Sequence, residues 1–178
     1  MFEEILTDRC RLNVLNAKDE KEVITGIDND QVIKYFSVSP KTFHKIEFRR
    51  HWFNKLMEPG TSLWWAIRFK DSDEIIGGCG FKEIDHDKNN AELGFWLLPQ
   101  HWKKGIIQEV IPYIIRYGFE QLNLLHIEAI TESENEASQN ALLKLGFAPA
   151  LTLPDCQLKD GKYISLYVFT LFNLRCCG

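Results

Sequence analysis

The sequence has no long apolar run. Its hydrophobic stretches are only a few residues long, and a membrane-spanning helix needs about 20, so no membrane association is expected. No secretory leader is expected either, because MFEEILTDRC is acidic and lacks an apolar core. A cytoplasmic location is the expectation. Positive charge is not in excess: 21 Lys and Arg stand against 25 Asp and Glu, a net charge of −4. That balance argues against general nucleic-acid binding but leaves room for a local basic pocket for a phosphorylated ligand. The five cysteines (Cys10, Cys79, Cys156, Cys176 and Cys177) are odd in number and lack metal-type spacing, which suits reduced thiols. The adjacent Cys176 and Cys177 are assigned no role. The five histidines are equally dispersed, so no metal is expected. No linker, repeat or low-complexity stretch divides the chain, and one domain over residues 1–178 is expected.

What is present reads as alternating strands and helices. Cys10–Leu15 alternates like a half-buried strand, and Ala17–Ile27 carries acidic residues before apolar Val23, Ile24 and Ile27, as a helix does. Residues 28–40 read as loop or short helix able to touch a substrate. Thr42 is placed to cap a helix running to about Met57, which Pro59-Gly60 stops. Ser62–Phe69, Glu74–Ile84 and Ala91–Leu98 form an antiparallel meander with hairpin-length turns. Gly77, Gly78 and Gly80 predict a bulge or a close backbone approach in its middle strand.

Gly105–Leu122 carries a wide apolar face from Ile106 to Leu122, with Pro112 expected to kink or break its second turn. His126–Ile130 is a short strand. Ser133 to Glu136 has the spacing of a capping box, and Gly146 ends the helix that follows. Two strands, Ala148–Gln157 and Tyr163–Phe172, close the chain. The class is α/β or α+β, with about seven strands and about four helices.

The stretch from Ala91 to Phe147 organises the rest. A strand runs through a turn containing Lys103 and Lys104 into a helix N-terminus. Free N–H groups and the helix dipole make such a place a natural anion site.

Several residues in this stretch together resemble the GNAT acetyltransferase superfamily, and more closely its ribosomal-protein N-terminal acetyltransferase branch. They are Ala91-Glu92-Leu93-Gly94-Phe95-Trp96-Leu97, Trp102-Lys103-Lys104-Gly105 with Gln108-Glu109, then Asn135, Ser138, Leu142 and Lys144-Leu145-Gly146-Phe147. The opening Leu6-Thr7-Asp8-Arg9-Cys10-Arg11-Leu12 is similar to that branch too. The resemblance implies a mixed, mostly antiparallel sheet splayed after its fourth strand. It implies acetyl-CoA as cosubstrate, with pantetheine against an unpaired edge at Trp96, Leu97 and Leu98, and with pyrophosphate on the N–H groups of Lys103, Lys104, Gly105, Ile106 and Ile107. Trp102 takes the first position of the phosphate pattern. Lys103 stands where Gly is frequent and Ile107 where a small residue is expected.

N-acetyl transfer to an amine needs a proton acceptor for the amine, stabilisation of the thioester oxygen and a donor for the leaving thiolate. Glu92 is the candidate base, acting through water, and Ser138 the candidate donor. Asn135 is implied to contact pantetheine, with helix capping as its simpler role. Glu109 reads first as a first-turn carboxylate favoured by the dipole, Tyr167 as an ordinary strand aromatic, and His101 as able to touch a phosphate. Trp52, Phe53, Trp64 and Trp65 read as core, and Cys79 has no histidine partner to make it a nucleophile. The implied acceptor is a primary amine, on a protein N-terminus or on a small molecule. The oligomeric state stays open, a homodimer included. The alternative to an enzyme is a CoA-binding module without turnover, motivated by Lys103, Ile107 and Pro112.

Overall fold

The strands form where β-branched and aromatic residues alternate, and eight of them join in one sheet. The structure is a computed structural model that describes residues 4–36 and 40–174. Cys176 and Cys177 lie outside the described residues, as do residues 37–39 of the stretch read as loop or short helix. The strands are β1 (Ile5–Leu6), β2 (Cys10–Val14), β3 (Leu63–Phe69), β4 (Gly77–Asp85), β5 (Asn90–Leu97), β6 (His126–Glu132), β7 (Ala148–Lys159) and β8 (Lys162–Phe172). Their order across the sheet is β1-β2-β3-β4-β5-β6-β8-β7. Among the described residues, only the β5–β6 pair is parallel.

Helices cover both faces. On one side lie α1 (Glu20–Ile27), α2 (Asp30–Ile33), α3 (Pro40–Phe43) and α4 (Ile46–Leu56); on the other lie α5 (Ile106–Glu120) and α6 (Glu136–Lys144). The larger core packs Ile106, Val110, Ile111 and Ile114 of α5 and Leu142 of α6 against Trp65, Phe81, Leu93 and Ile127. The second core packs Val23, Ile27, Ile33, Phe43 and Phe53 against Trp64 and Trp96. Trp52 joins that second core half-buried, so the four aromatics read as core are core.

Among the described residues, six α-helices and eight strands stand where about four and about seven were expected. The extra strand is the two-residue β1, too short to show a period. Residues 17–19 form a 3-10 turn ahead of α1, and the Asn29 side chain caps α2 by accepting from the Gln31 N–H at 3.0 Å. Thr42 does not begin the long helix. It lies inside α3, and α4 starts afresh behind Lys45, whose ψ of 122° is extended.

Pro112 does not break α5, which is continuous from Ile106 to Glu120. The residue is exposed, and Gln108, whose carbonyl it leaves without a helical partner, is half-buried beside it on a groove rather than in the core. The glycines of β4 mark close approach rather than a bulge. A Cβ on Gly78 would sit 2.7 Å from the Trp96 indole nitrogen, and one on Gly80 would sit 2.3 Å from the Leu63 carbonyl oxygen. The register shift lies later, between Lys82 and Asp85.

Candidate active site

β5 and β6 pair only over Asn90–Glu92 with His126–Glu128. Beyond Glu92 and Glu128 they part, β5 staying on β4 and β6 on β8. The open edge of β5 follows from its pairing with β4. The Leu98 N–H donates to the Ile76 carbonyl at 2.9 Å. Antiparallel pairs alternate, so Trp96 and Leu98 direct their backbone at β4, while Leu93, Phe95 and Leu97 direct theirs at the gap. Leu98 also packs its side chain into the second core.

The gap ends at the N-terminus of α5. After a 3-10 turn over Pro99–His101, the Trp102 indole N–H folds back onto the Leu97 carbonyl at 2.8 Å. Lys103 then takes a φ of 58° and Gly105 a φ of 75°, both left-handed. That explains why glycine suits position 103: a residue with Cβ is strained there. The first hydrogen bond of α5 runs from the Glu109 N–H to the Gly105 carbonyl at 3.1 Å. The N–H groups of Ile106, Ile107 and Gln108 therefore precede the helical ladder, the arrangement that receives an anion.

Arg9, which nothing in the sequence marks as a site residue beyond its place in the opening segment, braces this turn. Its Nη1 donates to the Lys104 carbonyl at 3.0 Å. Its Nε and backbone N–H donate to the Glu109 carboxylate at 2.5 and 2.8 Å, and the Thr7 hydroxyl donates to the same carboxylate at 2.6 Å. Burial opposes ionisation of Glu109, but these Thr7 and Arg9 contacts outweigh it and hold the carboxyl below its ordinary value. Glu109 is thus a structural carboxylate. The only sequence signal for Arg9 was its place in the Thr7-Asp8-Arg9 opening.

A cavity of about 520 Å³ occupies the gap. Phe95, Trp96 and Leu97 line one wall. Trp102, Lys103, Gly105, Ile106 and Ile107 close one end, Asn135 and Ser138 form the opposite wall, and Tyr35 and Phe36 of the segment after α2 close the far end. Ile107 does double duty, since it also packs against the larger core. A groove of about 590 Å³ between α5 and α6 carries Arg116 and shares Gln108 and Lys144 with the cavity.

Asn135 is the cap of α6. Its side-chain oxygen accepts from the Ser138 N–H at 3.1 Å. The expected box led by Ser133 is displaced, because α6 begins only at Glu136. Asn135 and Ser138 both line the cavity, and the cap uses neither the Asn135 amide NH2 nor the Ser138 hydroxyl. At the other end of α6 the Gly146 and Phe147 N–H groups return to the Leu143 and Leu142 carbonyls, both at 3.1 Å, with Gly146 at φ 89°. This is the glycine-ended pattern that the sequence indicates.

Glu92 sits at the last β5–β6 rung, at the root of the splay, and does not line the cavity. Its side chain is 12% exposed and pairs with Lys82 Nζ at 2.8 Å. Burial raises its pKa, the Lys82 charge and hydrogen bond oppose the rise, and Glu83 and Glu128 add to it; the result is upward. Lys104 presents its carbonyl to Arg9 and is not in the lining. His101 is in the lining. Burial and the Lys104 charge hold its ring below the ordinary histidine value, and its Nδ1 is buried without a partner. Tyr167 lines the groove between α6 and β7 and does not line this cavity. Cys79 is fully buried, which pushes its thiol upward and keeps it from acting as a nucleophile.

A mixed sheet parted at its one parallel pair, with a helix N-terminus at the open end, is the architecture of an acyl-CoA-dependent N-acyltransferase. The family model described as acetyltransferase (GNAT) domain matches residues 9–148. An uncharacterized N-acetyltransferase of Bacillus licheniformis, p20, is 33% identical over 178 residues, covering 99% of this chain and 100% of its own. The chain belongs to the GNAT acetyltransferase family. Two solved structures share the fold with a TM-score of 0.83. One is the ribosomal L7/L12 α-N-protein acetyltransferase with coenzyme A, at 15% identity over 96% of this chain and 98% of that one. The other is spermidine N-acetyltransferase from Vibrio cholerae with CoA and spermine, at 19% identity over 96% and 99%. Among the described residues, no helix is long and apolar enough to cross a membrane.

Proposed function

We propose that the protein moves an acetyl group from acetyl-CoA to a primary amine by direct attack, with both substrates bound together. The observation that carries this reading is the cavity in the splay, which joins the open edge of β5 to the uncapped N–H groups at the start of α5.

The residues present fit acetyl-CoA. A pyrophosphate matches the left-handed turn at Lys103 and Gly105, the amides of Ile106 and Ile107, and the positive charges of Lys103 and Lys104. The amides of pantetheine match the backbone of Phe95 and Leu97 and the NH2 of Asn135. The groove carrying Arg116 and Lys144 suits the phosphorylated nucleotide end. Trp96 gives the cavity its apolar wall.

Acetyl-CoA supplies an activated acetyl thioester. The chain supplies the rest. Glu92, made more basic by burial, accepts the proton of the attacking amine through water, because its side chain stops short of the cavity wall. The amine nitrogen attacks the thioester carbon directly, so no protein nucleophile is needed; as the C–N bond forms the C–S bond breaks, and the Ser138 hydroxyl hydrogen-bonds the departing thiolate. Tyr35 and Phe36 close the end left for the acceptor. A protein α-amine and a small amine both suit this reading, and the two CoA-bound neighbours act one on each kind.

The test is an acceptor screen. CoA release from acetyl-CoA is measured with short peptides bearing free N-termini and with aliphatic amines, for the wild type and for Glu92→Gln. Turnover with at least one primary amine, reduced about 100-fold or more in the variant, supports the assignment. Turnover unaffected by Glu92→Gln removes Glu92 from the mechanism.

A further inference from the structure

Lys159 and Glu132 form a buried ion pair at the acceptor end of the splay. Lys159 is the last residue of β7, at the tip of the β7–β8 hairpin, and Glu132 is the last of β6. Lys159 Nζ donates to Glu132 Oε1 at 2.5 Å and to the Lys34 carbonyl at 2.6 Å. The two side chains are 9% and 10% exposed. A lysine this buried needs acceptors for its protons, and it finds them on two separate elements.

One of them, the α2 segment, lines the cavity through Gln31 and Val32, and the other, β6, leads within three residues to Asn135 of the opposite wall. Lys34 follows α2 directly, and the next two residues, Tyr35 and Phe36, close the acceptor end. α2 itself is a single turn held to the core through Val32 and Ile33. The Ile33 carbonyl accepts from the Phe36 N–H at 3.0 Å, and a cation at the neighbouring Lys34 carbonyl suits the C-terminal end of the turn. Glu132 ties in the other wall: its carbonyl accepts from the Asn135 N–H at 2.9 Å and from Gln139 Nε2 at 3.2 Å. One junction therefore connects the hairpin tip, the α2 segment and the start of α6. Around it, Lys162 pairs with Glu134 at 3.2 Å, and Lys34 Nζ lies 4.8 Å from the centre of the Tyr35 ring.

We propose that Lys159 is a positioning residue for the acceptor. Through Glu132 and the Lys34 carbonyl it latches the α2 segment to the end of β6, and so fixes where Tyr35 and Phe36 stand in the cavity. The inference rests on the reading of this cavity as the transfer site. It adds a residue from the far end of the chain that contacts no reacting atom yet sets the shape of the acceptor end.

The experiment is hydrogen–deuterium exchange on the full chain, with calorimetric titration of acetyl-CoA alongside. Lys159→Met, Lys159→Arg and the double variant Lys159→Met/Glu132→Leu are compared with the wild type. The double variant guards against misfolding, because removing both charges leaves no buried ion unpaired. Losing charge-assisted hydrogen bonds speeds local exchange in residues 29–36 by about 10- to 100-fold. Lys159→Met and the double variant both show this, Lys159→Arg restores most of the protection, and the affinity for acetyl-CoA stays within about twofold. Unchanged exchange at 29–36 in the double variant overturns the latch. So does fast exchange spread across β2–β4, which marks a general stabilising role only. A large loss of acetyl-CoA affinity overturns the acceptor-end assignment. Failure of the wild type to bind acetyl-CoA defeats the parent reading, and the exchange arm still decides the latch.

Discussion

Arg9 and Glu109 stand 100 residues apart in the chain, yet the Glu109 carboxylate accepts from both the backbone N–H and the Nε of Arg9. The remaining arm of that guanidinium holds the Lys104 carbonyl. The N-terminal hairpin thus fixes the turn that precedes α5. Glu109→Gln costs about 1–2 kcal/mol at neutral pH, less than a fully buried pair because Arg9 is about half exposed. The pH dependence has a definite sign. The folded carboxyl lies below its ordinary value of 4.5, so its contribution is complete above that value and is lost as pH falls through the folded one. Urea unfolding at neutral pH and in acid shows the gap between wild type and variant closing in acid.

Lys103 and Gly105 predict opposite responses to substitution. Gly105→Ala costs about 1 kcal/mol through backbone strain alone, since the nearest atom to an added Cβ would be Arg9 Nη2 at 3.8 Å. Lys103→Gly removes strain and gives back part of the gain as entropy of the unfolded chain, a net stabilisation of up to about 1 kcal/mol. Thermal unfolding of the two variants reads both signs.

Glu92 predicts the acid limb of the rate profile. As a base it must be ionised, so turnover rises with pH through a value above the ordinary 4.5. Lys82 opposes that rise, so Lys82→Met moves the limb to still higher pH. A limb that stays put in Lys82→Met shows that another group is titrating.

Ser138 predicts a split between binding and rate. Ser138→Ala keeps the N–H that Asn135 caps, so the fold survives. Losing a hydrogen bond made only as the thiolate leaves lowers kcat by about tenfold or more with little change in acetyl-CoA affinity. Equal losses in both assign the hydroxyl to ground-state binding instead.

The legible parts of the sequence were those governed by local rules. The apolar face of α5, the three-strand meander and the Gly146 helix end follow from periodicity and backbone freedom, and the structure has all three. The illegible parts depended on distant partners or on competing local ones. Arg9 acquires its role only when β2 is laid beside α5. Ser133 and Asn135 both had capping chemistry, and the chain used the second. Pro112 had the chemistry of a helix breaker, but on an exposed face its freed carbonyl is not stranded in the core. Trp96, Leu97, Trp102, Lys103, Gly105, Ile106, Ile107, Asn135 and Ser138 line one cavity, whereas Leu98, Lys104 and Glu92 stand outside the lining.

The central claim is that acetyl-CoA binds in the splay with its phosphates at the start of α5. Calorimetric titration of acetyl-CoA into the wild type and into Lys103→Glu tests it most directly, since Lys103 is exposed and the substitution reverses charge at the turn without touching the core. The account predicts roughly micromolar affinity for the wild type and a loss of about tenfold or more in the variant. Absence of binding to the wild type, or equal affinity in both proteins, would contradict it.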